Sequence, residues 1–241
     1  MSASKGEPSK GSQTLENRPR TALVIGANRG IGLALVQRLA AHGRAVIAAC
    51  RRSSPALDAE AARGVRVEPG VDVTSDDSVA ALARRLDGVS IDELICNAGI
   101  LRDGDLEDLT FADVREQLEV NAFGPLRVVR ALRRNLARGA KVALITSRMG
   151  SIGDNGSGGS YGYRMSKAAL NAAGVSLARD LQAEGVSVAI LHPGYVRTEM
   201  TGGHGNVPPE TAAAQLVDRI DELGPSTSGT FWHANGQVLP W

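Results

Sequence analysis

The sequence predicts a single α/β domain, a doubly wound parallel sheet with helices on both faces. Three observations predict it. Short apolar runs alternate with segments of helical length from Thr21 onward, the pattern of β-α repeats. The runs are rich in Val, Ile, Leu and Ala, as strands buried on both faces require. The 241 residues suit one such unit better than two. Right-handed crossovers then leave few topologies.

The first twenty residues, MSASKGEPSKGSQTLENRPR, contain no apolar stretch. They read as a disordered polar tail at 1–20, ahead of a domain at 21–241. Strands are expected at TALVIG, AVIAAC, VRVEPG, IDELIC, KVALIT and VSVAIL. Helices are expected at Ile31–His42 and Ser75–Leu86, with two longer ones at Phe111–Ala137 and Ser160–Glu184. Gly43 and Gly185 each follow a helix as its left-handed stop. The Gly/Ser-rich stretch 150–160 and the stretch 201–209 read as loops, with a further helix starting near Pro208.

Composition excludes several classes of function. Basic and acidic residues number 27 and 26, which gives no electrostatic footprint for nucleic acid or an anionic membrane. Aromatics at 3% argue against base stacking. No run reaches the ~18 apolar residues of a membrane span. Four scattered histidines offer no metal-ligand spacing. Cys50 and Cys96 lie in apolar runs and are expected to be reduced, partly buried thiols, which suits a cytoplasmic protein. A small molecule is the expected partner.

The first strand runs into Gly26-Ala27-Asn28-Arg29-Gly30-Ile31-Gly32. Gly26 permits a tight turn, Gly30 a close approach to a pyrophosphate, and Gly32 close packing of the next helix on the strand. The helix N-terminus then offers free N–H groups to phosphate. Between an apolar strand and an amphipathic helix, this turn points to a dinucleotide and a Rossmann-type fold. An NAD site places a carboxylate at the end of the second strand. Here that strand ends Ala49-Cys50-Arg51-Arg52. Arg51, with Arg29 from the other side, suits a 2′-phosphate, so NADP(H) is favoured; Arg52 is a weaker candidate.

Tyr163 and Lys167 stand one helical turn apart, after the strand KVALIT and the Gly/Ser loop. Carbonyl reduction needs a hydride at carbon and a proton at oxygen. A phenol of pKa ~10 can give that proton, and a nearby ammonium is expected to favour the phenolate. Ser147, at the strand end, can donate to the carbonyl oxygen. Ser151 is the competing serine, and Tyr161 has no lysine at the right spacing.

From the G-x-x-x-G-x-G spacing onward the chain resembles the short-chain dehydrogenase/reductase family, through five motifs in the family's order between Thr21 and Trp241. SRMGSIGDN, YGYRMSKAALN, LHPGYVRTEM and LPW are similar to its small carbonyl-reductase branch, with sniffer-like and C-factor-like members. The epimerase branch, which also carries Tyr-x-x-x-Lys, differs in glycine spacing and substrate domain. Ile25 departs from the family's threonine.

The resemblance implies an NADPH-dependent reductase of aldehydes or ketones with an Asn121, Ser147, Tyr163, Lys167 tetrad. Asn121 would order a water relay, and Lys167 would hold the nicotinamide ribose. Asn97-Ala98-Gly99 matches the family's N-A-G strip against the cofactor. Asp72 resembles the aspartate beside adenine, with a plain turn or cap as the open alternative. Pro193-Gly194 and Thr198 resemble the nicotinamide-side residues, and Asn28, Ile31, Val73, Ala98 and Val196 complete the implied cofactor contacts. His192 reads as structural rather than catalytic. Roughly ten residues between Thr198 and the next helix imply a short lid and an open substrate site. Pairing of the two long helices, with Ala172, Ala173 and Gly174 among their small residues, implies a homodimer or homotetramer. A non-catalytic NADP(H)-binding sensor on the same fold is the competing reading; retention of the whole tetrad speaks against it.

Overall fold

The computed structural model describes residues 18–241. Its strands are β1 Thr21–Ile25, β2 Ala45–Ala49, β3 Arg66–Glu68, β4 Ile91–Cys96, β5 Leu136–Ile145, β6 Ser187–His192 and β7 Phe231–His233. All pair in parallel, in the order β3-β2-β1-β4-β5-β6-β7. The order reverses between β1 and β4. In such sheets the crevice outside the strands' carboxyl ends, at that switch point, takes the ligand.

The helices are α1 Gly30–Ala41, α2 Pro55–Ala61, α3 Asp76–Arg85, α4 Phe111–Leu118, α5 Gly124–Leu132, α6 Tyr161–Asp180 and α7 Pro209–Glu222. Strand side chains alternate between the two sheet faces. Ala22 and Val24 pack with Leu35 and Leu39 of α1 and Leu216 and Ile220 of α7. Leu23 and Ile25 pack on the opposite face with Leu82 of α3, Val128 and Leu132 of α5, and Leu170 of α6. Burying both faces explains why the central strands read as unbroken apolar runs.

The structure differs from the sequence expectation in four places. β7 and α2 were not anticipated. The expected helix Phe111–Ala137 is α4, a π turn at Glu119–Phe123, α5, and a 3-10 turn at Arg133–Asn135. It stops there because Leu136 already starts β5, whose register against β4 shifts between Ile91 and Glu93. α6 ends at Asp180, and a 3-10 turn carries the chain to Gly185 at φ 75°.

Of the expected tail, residues 1–17 lie outside the described residues. Arg18 already belongs to the fold, because its guanidinium donates to both Asp92 carboxylate oxygens at 2.7 and 2.8 Å. Past β7 the chain turns back. The His233 N–H donates to Gln237 O at 2.8 Å and the Leu239 N–H to Phe231 O at 2.9 Å, so this return segment lines the outer edge of β7. Among the described residues no helix is long and apolar enough to cross a membrane.

Candidate active site

The glycine turn between β1 and α1 is as tight as its sequence requires. Gly26 has φ +81°, and a Cβ there would lie 2.7 Å from Ala98 Cα. A Cβ on Gly32 would lie 2.0 Å from Gly26 O, so Gly32 is a packing residue beneath the turn. Asn97 Nδ2 donates to Gly26 O at 2.9 Å, which ties the strip after β4 to the turn.

A cavity of about 240 Å³ follows the ends of β1, β2 and β4. It brings together Gly26, Asn28, Arg29, Gly30 and Ile31 with Arg51, Asp72 and Val73, and with Asn97, Ala98, Gly99 and Thr198. Cys50, Val120, Glu199 and Met200 also line it and were not expected there. No carboxylate follows β2; Arg51 stands exposed at its end. Arg29 forms an exposed ion pair with Glu199 on the opposite wall. Asp72 accepts from the Thr74 N–H at 2.9 Å and the Thr74 hydroxyl at 2.8 Å. That N–H, with the hydroxyl and the charges of Arg51 and Arg127, holds the Asp72 carboxyl below its ordinary range. Asp72 thus closes a turn and also borders the cavity. Arg52 is exposed and does not line it.

A second cavity, of about 530 Å³, shares Ile31, Asn97, Gly99 and Thr198 with the first. It continues over the ends of β5, β6 and β7 and is lined by Ser147, Tyr163, Lys167, Pro193, Gly194 and Val196. Its lid is short. Arg197 N–H donates to Val207 O at 2.8 Å and Asn206 N–H to Tyr195 O at 2.9 Å, so the segment before α7 is tied down by its own backbone.

Ser147 follows β5 in extended conformation, its hydroxyl accepts from the Met149 N–H at 3.1 Å, and it lines the cavity with Tyr163. Ser151 is buried, accepts from the Asp154 N–H at 3.0 Å and does not line the cavity. Tyr161 is exposed and also lies outside the lining. Of these four residues, Ser147 and Tyr163 line the cavity. Lys167 Nζ lies 5.7 Å from the Tyr163 ring centroid and donates to Ile145 O at 3.0 Å.

The electrostatics run against the sequence expectation. Burial pushes the Tyr163 phenol up to about 12, opposed only by the neighbouring Ser147 hydroxyl. Burial also pulls Lys167 down to about 8. For both groups desolvation is the largest cause of the shift.

Asn121 sits in the π turn, 0% exposed, behind the cavity wall. Its Oδ1 accepts from the Ile100 N–H at 2.8 Å, and its Nδ2 donates to Ile100 O at 2.9 Å and Ser166 Oγ at 3.0 Å. The amide fastens the segment after Gly99 to α6. The extra residue of the π turn is a known accommodation at functional sites. Cys50 and Cys96 are free and buried, as expected. His192 lines the larger cavity, stacked edge to face on His233.

The family model for short chain dehydrogenases matches residues 20–206. The chain is 48% identical over 227 residues to the 1-hydroxy-2-glutathionyl-2-methyl-3-butene dehydrogenase of Rhodococcus sp. strain AD45, across 92% of this chain and 99% of that protein. It is similar to the structure of an NADPH-bound carbonyl reductase from chicken fatty liver, at 31% identity and TM-score 0.86 over 93% of this chain and 100% of that one. The carbonyl reductase Sniffer of D. melanogaster is similar at 28% identity and TM-score 0.84, with the same coverage.

Proposed function

The chain belongs to the short-chain dehydrogenase family, and we propose that it is an NADPH-dependent carbonyl reductase in which Tyr163 gives the proton. The observation that carries this reading is the meeting of Ser147 and Tyr163 in one cavity, continuous with a glycine-lined phosphate turn. A purely binding protein on this fold would need the turn but not that pair.

The residues fit a dinucleotide. The space over Gly26 and Gly30, the free N–H groups at the start of α1, and Arg29 and Arg51 suit phosphates. The absence of a carboxylate after β2 favours a 2′-phosphate over a free 2′-hydroxyl. Lys167 would hold the nicotinamide ribose, Thr198 the carboxamide, and Pro193-Gly194 the ring's outer face. When bound, the cofactor supplies a hydride to the carbonyl carbon. Ser147 donates a hydrogen bond to the carbonyl oxygen as negative charge grows there. Tyr163, protonated throughout the neutral range, passes its proton to the same oxygen. Asn121 positions this group by holding the Ile100 segment and α6 together.

The Rhodococcus relative is named for an alcohol at one position and a glutathionyl group at the next. We extend the coarser chemistry to this chain: a carbonyl or alcohol beside a bulky, polar substituent. Two buried thiols suit a reducing compartment, and the cytoplasm is our reading.

Tyr163→Phe tests the assignment. It removes only a hydroxyl, so NADPH affinity by titration should hold while turnover of a carbonyl panel falls by roughly 10² or more. Lys167→Ala should damage both. A Tyr163→Phe enzyme with near-normal kcat on a good ketone refutes the reading.

A further inference from the structure

Proton and hydride transfer leave three nitrogen-bearing side chains of the larger cavity unused. They come from three adjacent strand ends. Arg148 directly follows Ser147 beyond β5, His192 ends β6, and His233, paired in register with His192, ends β7. All three line the cavity. The two imidazole centroids lie 4.9 Å apart, edge to face.

The hydrogen bonds fix how His233 is protonated. Asn235 N–H donates to His233 Nδ1 at 3.0 Å, so Nδ1 is an acceptor and Nε2 carries the hydrogen. The Cε1–Nε2 edge borders Gly194, where a Cβ would lie 3.7 and 3.8 Å from those atoms. Gly194 is itself part of the cavity wall. Its lack of a side chain keeps that edge clear. His192 Nδ1 is buried and has no hydrogen-bond partner among the described residues, an unusual state for a polar atom.

Burial, with the Arg148 charge behind it, lowers the proton affinity of both imidazoles. At neutral pH they therefore act as uncharged donors beside a single cation. That cation is bound only loosely. Arg148 pairs with Asp154 at 3.0 Å, with both side chains more than a third exposed, and such rim pairs are weak and exchangeable. A few convergent polar groups on a largely apolar cavity are the usual means of fixing a ligand's orientation.

We propose that these side chains bind a carboxylate on the substrate. Arg148 takes it in exchange for Asp154, His233 Nε2–H donates to it, and His192 braces His233 from the next strand. The carbonyl then lies between Ser147 and Tyr163, and the distance from that pair to Arg148 and His233 selects substrates by chain length. The inference rests on the reductase reading and narrows it to carbonyl compounds that carry a carboxylate.

The test uses ω-carboxylated methyl ketones of graded chain length and their methyl esters. Turnover with NADPH and calorimetric binding to the protein loaded with oxidised NADP, which cannot reduce the ketone, are both measured. At a matching length the acid should exceed the ester in kcat/KM and in affinity by roughly ten- to a hundredfold, the usual worth of hydrogen bonds to a charged group. The difference should sit in KM rather than kcat. Arg148→Gln and His233→Phe should each bring the acid-to-ester ratio towards one. His233→Gln, which keeps a donor, should retain part of it, and Asp154→Asn should raise it. Equal binding of acid and ester at every length overturns the proposal, as does a ratio that neither Arg148→Gln nor His233→Phe moves. A protein that prefers the acid in binding yet reduces no carbonyl overturns the reductase reading and leaves the carboxylate site standing.

Discussion

Replacing Asn121 tests how the site is held together. Its amide makes three hydrogen bonds, two of them to the backbone of Ile100. In Asn121→Ala, Ser166 loses little, because its hydroxyl still donates to Tyr163 O at 2.8 Å. The Ile100 N–H and C=O both lose their partner. Each buried unsatisfied group costs about 1–3 kcal/mol. Ile100 is half-buried, so water relieves part of this, and the net loss should be roughly 2–4 kcal/mol. In a domain of this size that lowers Tm by roughly 4–16 °C. Asn121→Asp sharpens the test. A carboxylate can accept from the Ile100 N–H but cannot donate to Ile100 O; only the neutral acid can. The folded state therefore raises the aspartate's pKa above its unfolded value. Stability should be nearest wild type below about pH 4 and fall as pH rises, by up to ~1.4 kcal/mol per unit, until the folded-state pKa is passed. Urea denaturation across that range measures both effects. A loss below about 1 kcal/mol for the alanine variant, or a pH-independent aspartate variant, refutes this account of the π turn.

Three further outcomes follow from the same geometry. Arg51→Ala should weaken NADPH by roughly ten- to a hundredfold, the loss of a charged hydrogen bond to phosphate, and NADH far less; equal losses in calorimetric titrations would sink the cofactor preference. Burial holds His192 down to about 3, from an ordinary 6.5, so between those values the unfolded chain binds a proton that the folded chain does not. Stability should be full above about pH 6.5 and decline towards pH 3; His192→Gln should make that decline shallower in thermal melts, and an unchanged slope argues against it. Finally, α4, the π turn, α5 and α6 expose Phe111, Phe123, Leu126 and Met165, and an isologous dimer, alone or within a tetramer, should cover them. Light scattering that finds a single 25.2 kDa species at micromolar concentration would exclude it.

The parts legible in the sequence were those fixed by local chemistry. The glycine turn could be placed because Gly26 and Gly32 meet steric demands that other residues fail. The central strands could be placed because both sheet faces demand apolar residues. β7 was not legible: it has three residues, Phe231–His233, too few for a period, and only β6 and the return segment define it. His233 was missed with it. The π turn escaped because one added residue leaves the helical pattern on either side intact. Leu136 looked helical because its pairing with Ile91 lies ahead of a register shift. Gly174, read as a contact between subunits, turns inward, where a Cβ would lie 2.7 Å from Ile190. The sequence put Tyr163 and Lys167 one helical turn apart but did not show the direction in which their proton affinities shift, because desolvation depends on everything packed around them.

The two margins of the sheet carry a consequence for behaviour at high concentration. An open strand edge is a template for another chain, and long flat ones lead to aggregation. Here β3 is three residues long and carries Arg66 and Glu68, with Arg85 bound to Glu68 at 2.6 Å. β7 is equally short, and the return segment already satisfies the Phe231 carbonyl and the His233 N–H on its outer side. Neither margin offers a run of unpaired backbone to an incoming strand. While the domain stays folded, strand-to-strand growth has to wait for unfolding.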